Sequence, residues 1–169
     1  LTLDTATAGS GNIVIDDVLG ADNIIIDSAG TVSQLASGDI TTAGTLTVNS
    51  VGGVNLTTAS NDAGALIAVN STSGDILYSD DSALIILQID QNGTGPNDAV
   101  TINANGTLTV DASGSGIDVA NGDLTLDTVT LGSGNIVIDD VLGAANIIID
   151  SAGTVTQAST GNITTGLLT

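Results

Sequence analysis

One phrase occurs twice in this chain. Residues 11–32 read GNIVIDDVLGADNIIIDSAGTV, and residues 134–155 repeat them with a single change, Asp22 becoming Ala145. The match is wider than the phrase: residues 1–42 align with 124–165 and differ only at positions 6, 8, 22, 33, 35, 36, 37 and 39. A period of 123 residues divides the 169-residue chain into one long unit, 1–123, and the start of a second, 124–169. A closed globular core has no place for a near-verbatim copy of its own first third. A chain in which each segment packs on the one before can accept such a copy without redesign. The repeat therefore predicts a fold that grows in one dimension, with 124–169 continuing the same structure as 1–123.

A shorter rhythm runs inside the unit. Strand-like runs such as NIVID (12–16), NIIID (23–27), TLTV (45–48), ALIAV (65–69), LIILQI (84–89) and TLTV (107–110) alternate with SAG, STSG, NANG and SGSG. Branched aliphatics and Thr suit a pleated surface, and Gly, Asn and Ser suit tight turns. About 13 strand starts fall between Asn12 and its copy Asn135, and no helical period appears. Two all-β architectures fit this rhythm, a sandwich of hairpins and a solenoid. Short uniform strands, the long repeat and the scarcity of two-residue Asn-Gly hairpin turns favour the solenoid. The expected fold is all-β: a right-handed parallel β-helix (β-solenoid) with short strands and Gly/Asn/Ser turns.

Alternation assigns the interior. Ile13, Ile15, Ile24, Ile26, Leu46, Val48, Leu108 and Val110 are expected to stack as aliphatic ladders, each contributing about 1.5–3 kcal/mol by burial. With no Phe, Trp, Met or Cys and a single aromatic, Tyr78, such rows have to replace a conventional core. The same alternation points Val14, Ile25, Val137 and Ile148 outward, either as scattered apolar residues or as a stripe for packing.

The charge inventory restricts function. All 19 acidic residues are Asp, and the chain has no Lys, Arg, His or Glu. Every carboxylate must face water, accept backbone N–H bonds or meet a cation from solution. Binding of nucleic acid or an anionic membrane surface needs cationic side chains, so neither partner is expected. No run approaches the ~20 apolar residues that cross a bilayer as a helix, so membrane insertion is not expected either.

Runs such as LTLDTATAGSGNIVIDD, SAGTVSQLASGDITTAGTLTV and NGTLTVDASGSGIDVANGDLTLD resemble the repeats of filamentous-haemagglutinin-type and autotransporter-type passenger proteins. The resemblance implies a bacterial, secreted β-helix at the cell surface, serving adhesion, cell contact or a matrix. It carries over no catalytic residues. The expected partners are further repeats, by covalent continuation or self-association, and cell-surface glycans. The alternatives are a β-helix that binds or cleaves carbohydrate and a filament whose subunits stack end to end.

Chemistry has few candidates. Without His, Cys, Lys or Glu, only the Asp pairs 16–17, 80–81 and 139–140 could serve as acid and base, and neighbours on a strand face opposite ways. No enzymatic activity is expected. The stretch DQNGTGPND (90–98) places Asp90, Asn92, Thr94 and Asp98 at positions 1, 3, 5 and 9 of a calcium-type loop, with Gly95 at position 6. Position 12 is Thr101 rather than an acid, so the motif is partial; the other reading is a polar turn around Pro96. These four residues are the candidate Ca²⁺ ligands. Asn-x-Ser/Thr sequons stand at Asn55, Asn70, Asn92, Asn105 and Asn162.

Overall fold

A computed structural model describes residues 1–95 and 98–169. Among them every regular element is a strand, and every strand pairing is parallel. In chain order the strands are β1 (Thr2–Asp4), β2 (Ile13–Ile15), β3 (Leu19–Gly20), β4 (Ile24–Asp27), β5 (Val32–Gln34) and β6 (Ile40–Ser50). They continue with β7 (Val54–Leu56), β8 (Asn61–Asn70), β9 (Ile76–Asp80), β10 (Leu84–Gln91), β11 (Val100–Ala104) and β12 (Leu108–Val110). The last six are β13 (Gly116–Val119), β14 (Asp123–Asp127), β15 (Ile136–Ile138), β16 (Val141–Asp150), β17 (Val155–Gln157) and β18 (Asn162–Leu168). Each strand lies on one from the preceding coil, making a parallel β-solenoid.

Three strand positions make one coil. The first face is the column β2, β5, β7, β9, β11 and β14, continued by the second halves of β16 and β18. Its inward residues form a single file: Ile13, Val32, Val54, Ile76, Val100, Leu124, Ile147 and Leu168, one per coil. The third face carries Ile26, Val48, Ala68, Ile89, Ile117 and Leu142 in the same way. The second face lies between them. Coils vary in length, from 19 residues (Ile13 to Val32) to 28 (Leu108 to Ile136).

The alternation read from the sequence is realised: all eight expected ladder residues are buried. One expectation is corrected. The strands are not uniformly short, since β6 has 11 residues and β8 and β16 have 10 each. These strands run from one face onto the next without a break. The register slips at the bend, between Thr42 and Thr45 for β6 and between Ile86 and Gln88 for β10, so the bulge turns the chain while pairing continues. Gly44 allows close stacking at this bend, because a Cβ on it would lie 2.2 Å from the Asp22 carbonyl oxygen.

The two copies of the phrase make the same bonds. Asn12 Oδ1 accepts from Thr31 N at 2.9 Å, and Asn135 Oδ1 accepts from Thr154 N at 2.8 Å. Thr5 Oγ1 donates to the Gly11 carbonyl at 2.9 Å and Thr128 Oγ1 to the Gly134 carbonyl at 2.8 Å. The Asp22/Ala145 difference falls at an exposed position, where only the backbone is used: the two carbonyls accept from Thr42 and Thr165 respectively. The copies diverge in that β3 and β4 are separate whereas their counterparts merge into β16. Leu142 and Gly143 lie on β13 of the coil below, whereas β3 is paired on one side only.

Candidate functional site

A chain without cations must satisfy its carboxylates otherwise, and the coils show how. Asn and Asp stand in register on adjacent coils. Asn49 Nδ2 donates to Asp27 Oδ1 at 2.5 Å, and Asn146 Nδ2 donates to Asp123 Oδ1 at 2.7 Å. At turns, hydroxyls and backbone N–H groups take over. Hydrogen bonds from Thr7 hold the Asp4 carboxyl below its ordinary pKa, and bonds from Ser113 do the same for Asp111. Neutral donors thus do locally what Lys and Arg do in most proteins.

The four candidate calcium ligands are placed as follows. Asp90 lies near the end of β10 and points away from the core, where its Oδ2 accepts from Gln88 Nε2 at 2.6 Å. Asn92 and Thr94 are exposed, and their backbone N–H groups follow the coil beneath, donating to the carbonyls of Asn70 and Thr72. Asp98 closes the loop: Oδ1 accepts from Gly74 N at 3.1 Å and Oδ2 from Gly95 N at 2.8 Å. No hydrogen bond links Asp90 to Asp98, and no group of three or more Asp side chains converges on a metal-sized site among the described residues. Pro96, on which the turn reading was centred, lies outside the described residues.

Sequence reasoning missed a carboxylate in register with Asp90. Asp118, 28 residues later, stands directly above it on β13. Asp4 with Asp27, and Asp127 with Asp150, form equivalent stacked pairs. Their common signal is an Asp at the same strand position one coil apart, which becomes visible only once coil lengths are known.

The corners hold a second set of polar residues, turned inward. Ser50, Asn70 and Gln91 stack in register, buried. Ser50 Oγ donates to Asn70 Oδ1 at 3.1 Å, and Asn70 Nδ2 donates to Gln91 Oε1 at 2.9 Å. The same amide reaches the carbonyls of Ser73 and Gly74, while Gly53 N donates to Asn70 Oδ1. At another corner Asp80 is buried and accepts from Ala63 N, Tyr78 Oη and Ser82 N. Burial raises its pKa despite those bonds. No buried polar side-chain atom lacks a partner among the described residues. Asn70 is one of the sequons, and its full burial closes it to glycosylation in the folded chain.

Clefts open on the surface of the described residues. One, of about 310 Å³, follows the first face across three coils and is lined by Thr31, Ser33, Asn55, Asp75 and Leu77. The other, of about 370 Å³, lies on the outward column Asp4, Asp27, Asn49 and Val69, beside Ala6 and Thr7 of the turn after β1. Both are open grooves along the axis with polar rims. The outward apolar residues do not merge into a stripe, because Val14 stacks on Ser33, Ile25 lies between Thr2 and Thr47, and Ile148 stacks on Thr125. No family model, no curated protein and no solved structure matches the chain.

Proposed function

We propose that this chain is a structural and adhesive segment of a long extracellular fibre at a bacterial cell surface. Coils bound to one another by continuous backbone ladders form its axis. The observation that carries this reading is that the copied phrase makes the same hydrogen bonds at both of its positions. Copying sequence therefore lengthens the solenoid without new packing rules, as a spacer or surface fibre requires. The acidic surface, net −19, keeps neighbouring fibres apart and soluble until cations screen it. The test is display of one, two and four units on cells that do not otherwise adhere. Attachment and cell-to-cell spacing should rise with unit number, and attachment independent of length would overturn the reading.

A second reading is supported by the 310 Å³ cleft, whose Thr31, Ser33, Asn55 and Asp75 offer polar groups beside the apolar side chain of Leu77. That mixture fits a sugar with one polar edge and one apolar face. Glycan binding that is saturable and lost in Asn55→Ala with Asp75→Ala would make recognition, rather than spacing, the primary role.

A further inference from the structure

The copies repeat in sequence, but they do not repeat on the same side of the solenoid. Ile24 stacks with Leu46, Leu66, Ile86 and Val110, and the fifth coil brings Ile138 into its column. Ile138 is the copy of Ile15, not of Ile24. The true copy of Ile24 is Ile147, which lies in the first-face column that began at Ile13. Outward residues show the same displacement. Val14 leads through Ser33, Asn55, Leu77, Thr101 and Thr125 to Ile148, the copy of Ile25. Val137, the copy of Val14, stands on a different face between Thr109 and Thr156.

We infer that the 123-residue unit winds five coils and one further face, so that each successive unit is turned by one face about the axis. In a chain carrying more such units, every surface feature of the repeat is displayed in three rows around the fibre. The same face returns after three units, or sixteen coils. At the ~4.8 Å spacing of paired strands this is roughly 26 Å of rise per unit and 77 Å between equivalent faces. The phase shift is tolerated because the columns the copied residues enter are aliphatic in the coil beneath, where Ile136, Ile138 and Ile147 stack on Leu108, Val110 and Leu124. The bonds defining each copy reach only the adjacent coil, so they ignore the absolute face. On the fibre reading proposed above, this winding makes lateral contact available on three sides instead of one. The winding itself does not depend on that reading.

The chain has no Cys, so disulfide trapping starts from zero background. The columns place Thr125 beside Ile148 and Thr109 beside Val137, both pairs in register on adjacent parallel strands. Their Cα separation of ~4.8 Å is within the range that a disulfide spans. Thr125→Cys with Ile148→Cys, and Thr109→Cys with Val137→Cys, should each cross-link on mild oxidation to near completion. Thr101→Cys with Val137→Cys, which would meet if Val137 shared the column of Val14, should remain reduced. All five positions point outward, so circular dichroism of the reduced variants should match the parent. Cross-linking of the third pair, or failure of the first two in folded protein, would overturn the winding. Correct cross-links combined with length-independent adhesion would retain the winding and reject the fibre function.

Discussion

Asn70→Ala should be among the most damaging single substitutions in this chain, although the sequence presents Asn70 as an ordinary sequon. Its side chain joins three coils, accepting from Ser50 Oγ and Gly53 N and donating to Gln91 Oε1 and to two turn carbonyls. Gly74 keeps a donor in Gln91 Nε2 after truncation, and the Ser73 carbonyl belongs to an exposed residue that water can reach. Gly53 N and Ser50 Oγ belong to buried residues and have no second partner. Stranding two buried polar groups at about 1–3 kcal/mol each predicts a loss of about 2–6 kcal/mol. That is a large share of the roughly 5–15 kcal/mol of a typical domain. The assay is equilibrium urea unfolding followed by circular dichroism, with Asn55→Ala as the control. Asn55 is exposed, and its side chain only accepts from Thr57, so its truncation should cost less than about 0.5 kcal/mol. A loss below about 1 kcal/mol for Asn70→Ala would show that the corner ladder does not hold the coils together.

Stability should depend on pH in two opposing ways. Burial raises the Asp80 pKa above 3.8, so the folded state holds that proton more tightly and stability grows as pH falls from neutral. Asp4 and Asp111 are lowered below 3.8 by Thr7 and Ser113, and the stability they give is lost as pH falls further. The melting temperature should therefore peak near pH ~4, with a shallower rise in Asp80→Asn; a peak at neutral pH would refute this. If Asp90, Asn92, Thr94 and Asp98 hold calcium, the ion should raise the melting temperature beyond ionic-strength-matched sodium, and Asp90→Asn with Asp98→Asn should remove the excess. Equal responses to the two salts would leave the loop a turn stapled by Asp98 to Gly74 and Gly95.

Period-two alternation made the fold legible. Ile13/Ile15 and Ile24/Ile26 could be assigned inward because each pair brackets one residue between turn signals, and β2 to β14 supply the 13 strands expected between the two copies. Three-dimensional neighbours were much less legible. Coils of 19 to 28 residues give no fixed offset, so nothing in the sequence pairs Asp90 with Asp118 or Ser50 with Asn70. Polar corner residues misled for a related reason. Asn61, Asn70 and Asp80 have the composition of exposed turns, yet they are buried because the bend leaves backbone groups inside that need partners.

The most direct test of the account is rod length against unit number. Proteins carrying one, two and four 123-residue units, imaged by electron microscopy, should be rods of constant width that lengthen by roughly 26 Å per unit. Particles that instead grow in all dimensions, as compact domains do with increasing mass, would contradict a solenoid that lengthens by addition.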